Sequence, residues 1–266
     1  MSWCILVNTT PKYMPYAEVQ IACIRRYAQA LDEIPIFIAS EQRPKAGSHL
    51  ERILKLKNTF HIFLQEEESG FLESRLAGVG YLPEDVEYVL PLQEDFWLDR
   101  APDYNKLSEA INIFKMDQRV QSIRLMPSPG PHLNDEAYRG PWKIIGKADI
   151  YKFTYQATLW RIDAYRSFLE QILKSASRSF RSSGLPSDHW SKYCIRANVA
   201  ENLEGQSLFS DLCMGPNKLH LSIERSHSKP NAVFMAPWPY RPTAVVQGSL
   251  EPWAKEFAKR EGFNLE

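Results

Sequence analysis

Four short apolar runs limit what this chain can fold into: residues 4–7 (CILV), 34–39 (IPIFIA), 60–64 (FHIFL) and 88–92 (YVLPL). Each has the length of a strand and is apolar on both faces, as strands buried inside a parallel sheet are. Helical spacing separates them. Tyr16, Val19, Cys23, Tyr27 and Leu31 follow the first run, and Leu72, Leu76 and Val79 precede the fourth. Ser69 is placed to cap that later helix and Gly80 to stop it. Asp103 is placed to cap a helix with Tyr104, Leu107, Ile111 and Phe114 on its apolar face, and residues 121–126 (QSIRLM) read as a further strand. The alternation predicts an α/β fold with a mainly parallel central sheet flanked by helices. Ligands of such sheets bind beyond the carboxyl ends of the strands. Those ends carry the polar residues 8–10, 40–41 and 93–95.

The second half is less regular. Residues 127–141 are rich in Pro and Gly and read as a loop. Ile162, Tyr165, Phe168, Leu169, Ile172 and Leu173 mark an amphipathic helix; 175–187 reads as an exposed or mobile loop, 188–203 as partly helical and 227–242 as extended. A last helix is expected near 252–260. The chain is therefore read as one domain, 1–266, with an ordered half (1–126) and an irregular C-terminal half (127–266).

Composition removes several functions. Lys plus Arg and Asp plus Glu are both 32, so nothing favours nonspecific binding of nucleic acid or an anionic membrane. The four cysteines form no CxxC pair, which disfavours a zinc ribbon or a redox motif. No GxGxxG follows the first strand, and there is no GxxxxGK[ST], HExxH or GxSxG. The N-terminus lacks a signal-peptide pattern and no apolar run reaches a membrane span, so the expectation is a cytoplasmic protein with no transmembrane segment.

The fourth strand runs straight into Gln93, Glu94 and Asp95, then into Phe96, Trp97 and Leu98. Unpaired buried carboxylates are expensive, so such a pair usually serves a cation or a hydrogen-bond network. A divalent cation (Mn or Mg) held there could bridge the diphosphate of a nucleotide-sugar and offset the charge that grows as the sugar leaves. Equally, Glu94 and Asp95 could cap the next turn or pair with Arg100 or Arg124.

In addition, the order of segments resembles a family of small bacterial and viral GT-A-type glycosyltransferases. The matching pieces are ILVNTTPKYMPYAEVQIACIRRY (5–27), EDFWL (94–98) in place of a tandem acidic-aromatic D-D-Y-F-L motif, IRL (123–125), QATLW (156–160) and AVVQGSLEPWAKEF (244–257). The resemblance implies a GT-A-like fold, with 1–126 as the nucleotide-binding half and 127–266 as the acceptor-binding half. It implies an enzyme moving a sugar from a nucleotide-sugar donor to an acceptor hydroxyl of a glycan or lipid-linked glycan, in surface polysaccharide or glycan synthesis. Asn8, Thr9, Tyr13 and Glu41 would meet the nucleoside, Gln156 a sugar, and Glu94 and Asp95 the diphosphate, with Asp95 the metal ligand. The family's Pro-Trp-x-Phe-Glu segment, which carries a general base, is replaced by ANVAENLEGQSLFS (197–210). Glu201 is the first choice for that base, then Glu204, then Asp188, and a base there implies inversion at the anomeric carbon. A metal-independent enzyme would instead neutralise the diphosphate with Arg75, Arg124 or Arg139. A nucleotidyltransferase is disfavoured because NTTPKYMPY lacks glycine. A degenerate, non-catalytic sugar- or nucleotide-binding protein is the alternative.

Overall fold

The computed structural model describes residues 2–65, 70–127, 136–147, 149, 151–183, 203–215, 217–224, 236–241, 244–246 and 249–265. Its strands are β1 (Ser2–Asn8), β2 (Ile36–Ser40), β3 (Thr59–Phe63), β4 (Val86–Gln93), β5 (Val120–Arg124), β6 (Ala137–Arg139), β7 (Trp142–Ile144), β8 (Thr158–Arg161), β9 (Leu219–Ile223), β10 (Val245–Val246) and β11 (Ser249–Leu250). The helices are α1 (Met14–Tyr27), α2 (His49–Leu54), α3 (Phe71–Gly80), α4 (Tyr104–Met116), α5 (Ile162–Ser183), α6 (Leu203–Cys213) and α7 (Pro252–Arg260).

Nine strands form one sheet in the order β3-β2-β1-β4-β8-β5-β9-β7-β6. The first four are parallel, as is β5 with β9; β8 lies between β4 and β5 and runs against both. The α/β expectation with a mainly parallel core therefore holds. Alternation along β1 fills both faces. Ile5 and Val7 pack with apolar residues of α1, α2 and α4, whereas Cys4 and Leu6 pack with those of α3, α5 and α6. A third cluster joins Val19 and Cys23 of α1 to Trp97 and to Ala254, Phe257 and Ala258 of α7.

Some boundaries differ from the sequence reading. Gly70 is the N-cap of α3, while Gly80 is its last residue and Tyr81 its C-cap; Ser69 lies outside the described residues. Residues 175–183, expected in a loop, continue α5, since nothing in SASRSFRSS stops a helix already nucleated by the apolar face before it. The C-terminal half is more ordered than expected and gives the sheet β6, β7, β8 and β9. Asp103 does cap α4, its carboxylate accepting from the Lys106 N–H at 3.1 Å. Among the described residues no helix is long and apolar enough to cross a membrane.

Candidate functional site

The polar ends of β1, β2 and β4 lie side by side. Thr9 N–H donates to the Ala39 carbonyl, and Asn8 reaches across to α3, its Nδ2 donating to the Ser74 carbonyl at 2.8 Å. Gly78 lets α3 come this close: a Cβ there would sit 3.1 Å from Asn8 Nδ2 and 3.3 Å from the Ala39 methyl. Beyond β4 the chain turns sharply, with Phe96 N–H donating to the Gln93 carbonyl. Glu94 and Asp95 ride on this turn.

The turn is held from two sides. Gln20, fully buried on α1, donates from Nε2 to the carbonyls of Gln93 and Phe96. The indole N–H of Trp97 donates to the Glu94 carbonyl at 3.0 Å and to the Tyr16 carbonyl at 3.2 Å. Neither residue was identified as part of the site from sequence. Gln20 did leave a signal, since it lies three residues after Ala17 and four before Ile24, inside the buried stripe of α1.

Among the described residues neither Glu94 nor Asp95 makes an ion pair. Arg100 pairs with Asp99, and Arg124 is buried with Nη2 donating to the carbonyls of Tyr151 and Lys152. Arg124 thus braces the loop before β8 and is not free for a phosphate, while Arg139 is exposed on the far edge strand β6. Asp95 is 7% exposed, and its Oδ1 has no partner among the described residues. Burial pushes the Asp95 carboxyl up to about 6, against the pull of the Val245 N–H, its own N–H and Arg75. Burial, then the neighbouring Asp95 charge, push Glu94 up to about 7.

Both carboxyls therefore hold protons in the folded chain that an unfolded chain would release. The stability this gives is fully present below about pH 4 and is lost as pH rises through about 6 and 7. With a chelator present, wild type is expected to lose stability between about pH 5 and pH 8, and Asp95→Asn to lose about 1–2 kcal/mol less. Urea midpoints at the two pH values measure this; the same loss in both proteins would refute it.

Arg75 of α3 is the nearby cation. It is buried, stacks on the Phe71 ring at 3.5 Å and donates from Nη1 to the Phe71 carbonyl at 2.9 Å. It shares a hollow with Gln93, Gln156, Tyr165 and Trp160. Gln156, in the loop before β8, has its backbone pinned by Thr154 and Thr158 and its side-chain oxygen held by the Tyr240 hydroxyl. Tyr240 stacks on Phe96 of the acidic turn, centroids 4.4 Å apart.

Of the residues expected from sequence, Glu94, Asp95, Arg75 and Gln156 converge here, and Asn8 is tied to α3 one residue from Arg75. Thr9, Tyr13 and Glu41 have no hydrogen bond or ion pair to the acidic turn among the described residues. Tyr13 packs on Tyr16 at 5.7 Å, while burial raises the Glu41 carboxyl above its ordinary range. Glu201 and Asp188 lie outside the described residues; Glu204 falls within α6, and its side chain lies outside them too.

No protein-family model matches the chain, and no curated protein matches it. Solved structures similar to it include a fragment of S. aureus TarS in complex with UDP-GlcNAc, at 11% identity and a TM-score of 0.43 over 63% of this chain. The chain spans 47% of that fragment. Mouse xyloside xylosyltransferase 1 superposes at 13% identity and 0.42, covering 83% of this chain and 84% of that one. The 4-diphosphocytidyl-2C-methyl-D-erythritol synthase of Anaerococcus prevotii superposes at 11% identity and 0.45, covering 88% and 93%.

Proposed function

We propose that this chain is a glycosyltransferase that moves a sugar from a nucleotide-sugar donor to an acceptor hydroxyl of a glycan. The observation that carries this reading is the acidic turn. Two carboxylates without ion pairs among the described residues sit at the carboxyl end of a central strand, one with a buried oxygen that has no partner among those residues, and a buried arginine stands beside them. Such an arrangement suits a site that gains cationic and anionic partners together.

The donor set fits a hard divalent cation. Among the described residues no group of three or more His, Cys, Asp or Glu gathers in one place. Asp95, with Glu94 beside it, would supply the protein oxygens, and phosphate oxygens and water the rest, as is usual for magnesium and manganese sites that serve phosphates. A cation there would offset charge on the departing nucleoside diphosphate. The chain's own work is to orient. Gln20 and Trp97 fix the turn, and Arg75 places a permanent positive charge behind it. Residues 1–126 are proposed as the nucleotide side and 127–266 as the acceptor side. Glu201, with Glu204 and Asp188 as alternatives, is the proposed base that removes the acceptor proton, giving inversion.

Calorimetric titration with UDP, GDP, CMP and dTDP, each with and without manganese, tests the reading. One nucleotide is expected to bind in a manganese-dependent way. Failure of all four to bind would overturn it and leave the non-catalytic alternative.

A further inference from the structure

The hollow beside Arg75 has a chemistry of its own. Its volume is about 10 Å³, room for about one water-sized group and too little for a sugar ring. Several side chains on its wall offer hydrogen atoms. Arg75 spends one N–H on the Phe71 carbonyl, and the rest of its fork makes no hydrogen bond among the described residues. The Tyr165 hydroxyl is buried and has no partner among the described residues. Burial pushes that phenol up to about 12, so it keeps its proton at neutral pH.

Gln156 completes the wall, and Tyr240 determines how. The Ala157 N–H donates to the Tyr240 oxygen at 3.2 Å, and the Tyr240 hydroxyl donates to Gln156 Oε1. A backbone N–H can only donate, so the phenol oxygen accepts there while its proton points to Gln156 Oε1. This donation holds the carboxamide in one orientation. Its oxygen faces Tyr240 and its Nε2, which has no partner among the described residues, is left as a pure donor.

We propose that Tyr240 is a positioning residue that orients Gln156 as a donor, and that the N–H and O–H groups of Gln156, Arg75 and Tyr165 form a pocket for one anionic oxygen of the donor's diphosphate. This deepens the transferase reading and rests on it. The pocket's three donors come from α3, α5 and the loop before β8, and none of them is a proposed cation ligand, so a chelator leaves them in place.

Inorganic diphosphate, titrated calorimetrically in the presence of a chelator, isolates this pocket. Wild type is expected to bind it. Gln156→Glu keeps an acceptor for Tyr240 but replaces the donor with a negative charge, and is expected to bind about 10-fold more weakly or worse. Tyr240→Phe keeps the stacking on Phe96, frees the carboxamide and is expected to bind about 5-fold more weakly. The double variant should bind no more weakly than Gln156→Glu alone. Wild-type affinity in Tyr240→Phe, or additive losses in the double variant, would overturn the positioning role; wild-type affinity in Gln156→Glu would overturn the pocket. If a nucleotide binds wild type with manganese while inorganic diphosphate fails without it, the pocket falls and the transferase reading stands. If neither binds, both fall.

Discussion

Asp95→Ala is expected to weaken manganese-dependent nucleotide binding by at least about 100-fold, or about 2.7 kcal/mol, while making the metal-free protein more stable at neutral pH. The opposite signs follow from one observation. Asp95 is buried, Oδ1 has no partner among the described residues, and its carboxyl is pushed up to about 6. A carboxylate kept in such a place lowers stability until a cation arrives. Removing it relieves that burden and removes the cation's ligand in the same step. Calorimetry with and without manganese reads the first effect and urea denaturation the second. A nucleotide that binds wild type equally well without manganese, and binds Asp95→Ala as tightly, would show that the turn holds no cation and would shift attention to Arg75.

Trp97→Ala is expected to cost about 3–5 kcal/mol, as large core truncations do. Trp97 is fully buried and packs against Phe257 at 5.9 Å and Trp253 at 6.2 Å, joining α7 to α1. Its N–H also holds the Glu94 carbonyl. Trp97→Phe separates the two roles: it keeps most of the ring packing and loses the hydrogen bonds, at about 1–2 kcal/mol. We expect manganese affinity to fall in Trp97→Phe although the protein remains folded under assay conditions. Unchanged affinity there would mean that the indole serves packing alone.

Most of the first half was legible because β1, β2 and β4 lie inside the sheet and are largely buried on both faces, so each appears as an apolar run. The acidic turn was legible because two carboxylates after such a run break the pattern. Other elements gave weaker signals. β8 is four residues long, and β9 (LHLSI) carries His220 and Ser222 into the core, where Ser122 Oγ lies 2.8 Å from His220 Nδ1. Such polar residues mask a strand until their partners are known. α2 spans six residues and is announced only by its Ser48 cap, which accepts from the Glu51 N–H at 3.2 Å. Tyr240 and Gln156 lie 84 positions apart in the chain, and no local pattern reports a contact of that kind.

The place of β8 bears on how the molecule comes to be folded. Its two sheet neighbours, β4 and β5, are separated by it and do not pair with each other. Until residue 161 has left the ribosome, each therefore presents an open edge to the cell. Pairings this remote along the chain form slowly, and unpaired apolar edges invite association with other chains in the interval. A nascent chain that stalls short of residue 158 holds β3-β2-β1-β4 as one piece and β5 as another, with nothing to join them. The strand that joins β4 to β5 closely follows Gln156, so the protein brings that side chain to the hollow as the two halves of the sheet are joined, while the other edge of β5 waits for β9.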